Sequence, residues 1–188
     1  MGHAEAERHR RIAAAFTDRV HGTNDWDAPT PVADWQARAV VDHLVTWFPG
    51  FLAAGEVTLP AGPSVADDPV AAWEHHAVAV QALIDGDGAE QDFTHPQVGT
   101  LPLAQAVDRF YTTDVLMHTW DLARATGQDD RLDPEECAAL LAGMEPMDQV
   151  LRDSGQFGPR VDVPDDAPVQ DRLIGFIGRD PAWRPPVG

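Results

Sequence analysis

Two residues that bind metals or transfer protons lie one helical turn apart in the segment RFYTTDVLMHTWDLARATG. Asp114 and His118 are four residues apart, so a helix places both on one face, and Asp121 follows close to that face. The neighbours on the face are apolar or aromatic: Val107, Tyr111 and Ala125. This composition indicates that the face points inward, where a carboxylate and an imidazole are costly unless they are paired or bound to a metal. Taken alone, the spacing also fits a surface pair or a mutually hydrogen-bonded pair, which is the commoner arrangement.

A third candidate ligand lies in the segment ARAVVDHLVTWF. His43 is surrounded there by apolar residues at helical spacing. A single histidine in such a place is most often a satisfied core residue. Combined with Asp114 and His118, however, it makes two nitrogens and one oxygen on two helices. This set suits Zn²⁺, Ni²⁺ or Fe²⁺ and leaves positions open for water or substrate.

The other histidines and the single cysteine are weaker candidates. His75 and His76 are adjacent, so only one can face a core, and His76 is the better alternative ligand. The rest belong to a first helix predicted to be exposed or to a loop before a proline: His3, His9, His21 and His95. Cys137 has no partner for a disulfide or a zinc knuckle, and we expect it to pack as a small apolar residue.

Other common catalytic motifs are missing from the sequence. It contains no G-x-S-x-G, no phosphate-binding glycine loop, no dinucleotide fingerprint and no H-E-x-x-H. All 13 basic residues are arginine, so mechanisms that need a lysine are excluded. A metal site is therefore the chemistry that the sequence favours.

The elements that must position these residues are helical nearly throughout. The predicted helices run from about Ala4 to Val20, from Asp34 to a bend or end at Pro49-Gly50, from Asp68-Pro69 to about Ile84, from about Leu101 to Thr126, and from Asp133-Pro134 to a break at Pro146. No strand alternation stands out. The pattern predicts an all-α fold in one domain, with a metal-binding four-helix bundle over residues 1–128. Residues 129–188 are expected to add a further helix and an extended Pro-rich tail packed on the bundle.

Composition excludes several classes of protein. The chain has 188 residues with 31 acidic and 13 basic side chains, a net charge of −18. This charge argues against nucleic-acid partners and against an anionic membrane surface. A hydrophobic content of 44% argues against a disordered acidic chain. No apolar run reaches the length of a membrane span and the N-terminus lacks an apolar signal region, so a cytoplasmic protein is expected.

Three segments resemble a known family. NDWDAPTPVADWQARAVVDHLVTW is similar to the opening signature of the mycothiol-dependent maleylpyruvate isomerase branch of the DinB/YfiT-like superfamily. YTTDVLMHTWDLARATG resembles the second signature of that branch, an acidic residue and a histidine one turn apart followed by Asp-Leu. FGPRVDVPDDAPVQDRLIGFIGRDPAW is similar to the C-terminal segment of a metal-binding subgroup of the family. The segments occur in the family's order and cover most of the chain.

The resemblance implies a DinB-like four-helix bundle that binds a divalent metal, usually zinc or nickel. By motif position the implied ligands are His43, Asp114 and His118. The family more often has histidine or glutamate where this chain has Asp114. Asp121 matches the trailing acidic residue of the second signature, and we expect it to support a ligand. The resemblance also admits a homodimer.

The resemblance further implies an activity. Mycothiol, a low-molecular-weight thiol, would be a co-substrate, and the protein would be a transferase or isomerase acting on a small electrophile. Arg109 is a candidate for contacting an anionic substrate, although a surface arginine paired with acidic neighbours is the more common case. Two alternatives remain open from the sequence: a non-catalytic, metal-stabilised binding or stress-response module, and a metal-assisted hydrolase.

Overall fold

A computed structural model describes residues 2–186. The elements in chain order are helices α1 (Gly2–His21), α2 (Ala37–Ala54) and α3 (Pro69–Asp85), strands β1 (Asp92–His95) and β2 (Gly99–Pro102), helix α4 (Leu103–Ala106), a π-helical segment (Val107–Thr112), helices α5 (Thr113–Thr126) and α6 (Pro134–Met144), a 3₁₀ turn (Glu145–Met147), and helices α7 (Asp148–Asp153) and α8 (Val169–Phe176). The fold is predominantly helical, as predicted. Over residues 2–186, none of the helices is long and apolar enough to cross a membrane.

The main core lies between four of these helices. Helix α1 packs against α3 and α5, and α2 packs against the same two helices. Large side chains from the first three helices are fully buried between them, including Phe16, Phe48 and Trp73. The helix starts predicted at Asp68-Pro69 and Asp133-Pro134 are confirmed: Asp68 caps α3 by accepting a hydrogen bond from the Ala71 amide, and Asp133 caps α6 by accepting one from the Glu135 amide.

A second apolar cluster joins the C-terminal elements to α5. It contains Met117 and Trp120 from α5 together with residues of α6, α8 and the turn that follows: Cys137, Leu141, Met144, Leu173, Ile174, Phe176 and Ile177. Helix α5 therefore contributes to both clusters. The C-terminal elements pack directly on the helix that carries Asp114 and His118.

The prediction of an all-α fold is wrong in one detail. Strands β1 and β2 form a short antiparallel hairpin in which Phe93 pairs with Leu101 and His95 pairs with Gly99. Phe93 and His95 are buried, and the alternating positions of β1 are exposed. Gly99 supplies the left-handed conformation that the turn needs, with φ of +81°. Four residues of alternation are too short a pattern to stand out from the surrounding polar loop.

The predicted start of α2 is also wrong. Asp34 is not the helix cap, because its φ of +65° places it in a left-handed turn. The amide of Thr30 donates to the carbonyl of Trp35 across this turn, and the helix begins at Ala37. Trp35 is thereby held just before the helix. The helix then continues through Pro49 to Ala54.

The predicted fourth helix begins two residues later than expected, because Leu101 and Pro102 belong to β2. Helix α4, the π segment and α5 follow one another without a break, since the residues at both junctions keep helical backbone angles. The π segment carries more residues per turn than an α-helix, and such segments are frequent at functional sites. Asp114 lies two residues beyond it.

Candidate metal centre

The three predicted ligands lie together between α2 and α5. One ligand atom from each of His43, Asp114 and His118 lies within 4.8 Å of the other two. Nε2 of His43 is 3.0 Å from Oδ2 of Asp114, and Nε2 of His118 is 3.5 Å from Oδ1 of the same carboxylate. We call these three residues the metal-site cluster. Two imidazole nitrogens and one carboxylate oxygen at this separation fit a divalent transition metal.

Local sequence explains how the two helices present the ligands. On α2, Val40 and Leu44 are fully buried and flank His43, so the helix is seated with the imidazole toward α5. On α5, the four-residue spacing stacks Asp114 and His118 on one face. The side chain of His43 is 31% exposed, that of Asp114 is 16% exposed and that of His118 only 5%. The cluster therefore opens to solvent on the α2 side.

Asp114 is held as an anion by its neighbours. Nε1 of Trp47 donates a hydrogen bond of 2.9 Å to Oδ2, the same oxygen that contacts His43. Burial alone would raise the pKa of Asp114, but the proximity of His118 and the hydrogen bonds from His43 and Trp47 outweigh burial and lower that pKa below 3.8. A charged carboxylate is the form that binds a metal.

His118 is fixed on two sides. Its Nδ1 lies 2.9 Å from Oδ2 of Asp121, and its ring stacks on Trp35 with centroids 5.6 Å apart. Asp121 is fully buried and receives two hydrogen bonds from Arg179, at 3.3 Å and 3.2 Å. Burial would raise the pKa of Asp121, but the charge of Arg179 and the contact with His118 lower that pKa below 3.8. Asp121 therefore contacts the candidate ligand His118, and its supporting role stays a prediction.

Comparison with known proteins gives two relatives, both from Mycobacterium tuberculosis. The uncharacterized protein Rv0738 of strain ATCC 25618 / H37Rv and the uncharacterized protein MT0763 of strain CDC 1551 / Oshkosh are each 33% identical to the chain over 177 residues. These matches cover 91% of the chain and 95% of each relative. The chain belongs to the family of these mycobacterial proteins. No family model and no solved structure matches it.

The other candidates from the sequence lie outside the metal-site cluster. Arg109 is exposed, with its guanidinium 5.4 Å from the centroid of the Phe110 ring, and its contact with a substrate stays a prediction. His76, the alternative ligand, is buried on α3 and is not part of the cluster. Cys137 packs as a small apolar residue, as predicted, and burial raises the pKa of its thiol to about 11.

Among the remaining histidines, one expectation was wrong. His9 was expected on an exposed helix, but it is fully buried and its Nδ1 lies 2.9 Å from Oγ1 of Thr112. His3 and His21 are exposed, as expected. His95 lies at the end of β1 rather than in a loop, with its ring stacked on Phe51.

Three residues around the site were not assigned a role from the sequence. Trp35 and Trp47 occur in the first of the segments that resemble the family, where neither has a role of its own. Arg179 lies in the C-terminal GRDP sequence that carries part of the family resemblance, and this was the one signal that could have found it. No local pattern links Arg179 to Asp121, which is 58 residues away.

Proposed function

We propose that the protein binds a divalent metal, zinc or nickel, at His43, Asp114 and His118 and acts with a low-molecular-weight thiol on a small electrophile. The observation that carries the proposal is the approach of three ligand atoms from two helices to within 4.8 Å of one another. The donor set supports a transition metal, because imidazole nitrogen and carboxylate oxygen both suit zinc and nickel.

We also propose that the fold is the four-helix bundle of the DinB type. The packing of α1 and α2 against both α3 and α5 supports this assignment. So does the position of the three ligands between two facing helices, which is where bundles build metal sites.

The chain's own residues would bind the metal, orient its ligands and shield them from water. Asp114 supplies the negative charge among the three ligands, and Trp47 fixes its carboxylate through a 2.9 Å hydrogen bond. The ring of Trp35 lies 5.6 Å from His118 and 5.1 Å from His43, which keeps water from one side of both imidazoles. A divalent ion, when bound, lowers the pKa of a thiol or water that it holds.

The nucleophile would come from outside the chain. Cys137, the single cysteine, is fully buried, and burial raises the pKa of its thiol to about 11. Lysine is absent from the sequence. These facts support a role for an external thiol such as mycothiol, as the family resemblance implies, in a transferase or isomerase reaction.

Metal stoichiometry tests the site directly. We expect about one equivalent of zinc or nickel in the purified protein, and a large loss in the His43→Ala and His118→Ala variants. His21→Ala is the matched control, because His21 is an exposed histidine paired with Glu74 and lies outside the cluster. Full metal content in both ligand variants would overturn the proposed site.

The thiol is tested with cobalt in place of the native metal. Addition of mycothiol is expected to produce a sulfur-to-cobalt charge-transfer band that the His118→Ala variant lacks. If the metal-loaded protein shows no such band but hydrolyses ester or amide substrates, the hydrolase alternative is favoured. A metal that raises the unfolding temperature, with neither the band nor turnover, would favour a non-catalytic, metal-stabilised module.

A further inference from the structure

The buried polar contacts of the metal site continue beyond Asp121 to the C-terminal segment. Nε of Arg179 donates to Oδ1 of Asp121 at 3.3 Å, and a terminal guanidinium nitrogen donates to Oδ2 at 3.2 Å. Asp121 is 0% exposed and the Arg179 side chain is 13% exposed. A fully buried carboxylate is costly unless a cation and hydrogen bonds compensate for the lost hydration, and Arg179 supplies both.

We propose that Arg179 is a positioning residue of the metal site and acts on His118 through Asp121. The inference rests on the proposed function. With Asp121 held charged and oriented by Arg179, its Oδ2 accepts the proton on Nδ1 of His118 at 2.9 Å. The lone pair then lies on Nε2, the nitrogen that faces Asp114. A histidine must present an unprotonated nitrogen to bind a metal, and a carboxylate on the opposite nitrogen fixes that tautomer.

The end of α8 places the arginine where it can reach Asp121. Gly178 has a φ of +83°, and the amide of Arg179 donates to the carbonyl of Ile174, which reverses the chain after the helix. A side chain at Gly178 would bring its Cβ within 2.9 Å of the Pro159 carbonyl, so the turn requires glycine.

The helix that carries this turn is itself anchored on α5. Ile174 and Phe176 of α8 belong to the same apolar cluster as Trp120, the residue before Asp121. A further hydrogen bond of 2.9 Å, from Arg179 to the Ile177 carbonyl, restrains the guanidinium. The arginine therefore approaches Asp121 from a rigid support, and the C-terminal segment becomes part of the site.

A purely structural ion pair makes a different prediction. If Arg179 did no more than neutralise Asp121, its removal would lower stability but leave the tautomer of His118 and the metal affinity unchanged. A positioning role changes both. The measurements must therefore report on His118 and on metal affinity, in addition to folding.

Zinc affinity of the full chain is the first readout. The Arg179→Gln variant is expected to bind zinc about 10–100-fold more weakly than wild type in a chelator competition, the range typical for partners of metal ligands. Arg179→Lys keeps the positive charge but lacks the planar guanidinium group. Its zinc affinity is expected to lie between those of wild type and Arg179→Gln. Arg172→Gln is the matched control, because Arg172 lies on the exposed face of α8, 3.9 Å from Glu145, and should leave the affinity unchanged.

The tautomer of His118 in metal-free protein is the second readout. ¹⁵N NMR at mildly alkaline pH is expected to show the proton on Nδ1 in wild type and a mixture of tautomers in Arg179→Gln. Wild-type affinity together with a wild-type tautomer in a folded Arg179→Gln protein would overturn the inference. If Arg179→Gln does not fold, Arg179→Lys serves for the same comparison.

The two proposals can fail separately. If wild-type protein binds no metal, the proposed function fails, and the tautomer alone then decides the positioning role. If wild type binds zinc and the arginine variants bind it equally well, only the positioning role fails.

Discussion

Two groups of histidines lie among the same packed helices, and they differ in their partners. Both imidazoles of the metal-site cluster contact a carboxylate, His43 at 3.0 Å and His118 at 2.9 Å. The second group, which we call the core histidine pair, consists of His9 and His76. Nε2 of each is buried without a hydrogen-bond partner among the described residues.

Tyr111 lies between the two members of the pair. Its ring is 5.8 Å from that of His9 and 5.5 Å from that of His76, and its hydroxyl is also unpartnered. Burial is the main cause that lowers the pKa of both pair members from 6.5 to about 4, and it raises the pKa of Tyr111 well above 10. All three groups are therefore neutral at physiological pH. A buried histidine therefore becomes a candidate ligand through its carboxylate neighbours, whereas burial without such a neighbour lowers stability.

The largest expected difference between the core histidine pair and the metal-site cluster is in how their contributions to stability change on acidification. Because the pKa of His9 and of His76 is about 4 in the folded state and 6.5 when the pair is unfolded, the unfolded chain takes up protons first as pH falls. The contribution of these two histidines to stability is complete above pH 6.5 and declines until about pH 4, by about 3 kcal/mol for each histidine. Urea unfolding across this range measures the decline, and His76→Phe should remove about half of the pair's share.

Two carboxylates, one in the metal-site cluster and one beside it, respond in a different pH window. The pKa of Asp114 and that of Asp121 lie below 3.8, so the stability they contribute is lost only as pH falls below that value. His21→Ala, at an exposed position, serves as the control for loss of a histidine. An unchanged pH dependence in His76→Phe would contradict the assignment of the decline to the core histidine pair.

Removal of the charge on Asp114 is the next largest change. Asp114→Asn keeps the shape of the side chain but loses the negative charge among the ligands, and we expect zinc affinity to fall by at least about 100-fold, or roughly 2.7 kcal/mol. A chelator competition measures this loss. His76→Phe is the matched variant in the core histidine pair and should bind zinc like wild type. Equal losses of zinc affinity in Asp114→Asn and His76→Phe would contradict the separation of the metal-site cluster from the core histidine pair.

A smaller effect is expected from Gly178→Ala. The added Cβ would lie 2.9 Å from the Pro159 carbonyl, at a φ of +83°, so we expect a loss of about 1–3 kcal/mol in the free energy of unfolding. Gly143→Ala is the control, since Gly143 lies in the last turn of α6 and a Cβ there meets no described neighbour within 4 Å, and it should stabilise slightly. The pH dependence that comes from the core histidine pair should stay the same in both variants; a change would link the C-terminal segment to that pair.

The smallest effect is expected from Tyr111→Phe. The variant removes a buried, unpartnered hydroxyl, so the free energy of unfolding should change by less than about 1 kcal/mol, with stabilisation favoured. Thermal unfolding measures this change, and zinc affinity should not move. A loss above that bound would mean that the hydroxyl has a bonding role in the folded protein.

Local periodicity was enough to predict each half of the metal-site cluster. Asp114 and His118 are one turn apart, and the apolar neighbours of His43 indicate that its helix face points inward. The meeting of the two halves was expected from the bundle prediction and the family resemblance, because spacing within a helix does not encode contacts between helices. The same rule should have found His9, which lies three residues before Ile12 and seven before Phe16, on the buried face of α1. The charged residues around His9 at the start of α1 mask this periodicity and favour the prediction of an exposed helix.

Other features depend on contacts that spacing does not encode. The pairing of Arg179 with Asp121 spans 58 residues and exists only because α8 packs on α5. Aspartate often caps the start of a helix, but the turn closed by the hydrogen bond between Thr30 and Trp35 overrides that preference at Asp34. The hairpin and the π segment are short, and neither leaves a pattern long enough to distinguish from its surroundings.

The π segment, Val107–Thr112, has a consequence for how the helix can vary. A π segment has more residues per turn than an α-helix, so each of its residues turns the chain by less than the roughly 100° of an α-helical residue, and one extra residue is accommodated with little change in the relative orientation of α4 and α5. Thr112, which contacts His9, belongs to the segment, whereas Asp114 lies in α5. The extra residue is thus absorbed between the two histidine groups, and we expect a single-residue deletion here to be tolerated better than one between Asp114 and His118, which would take those two side chains off their common face.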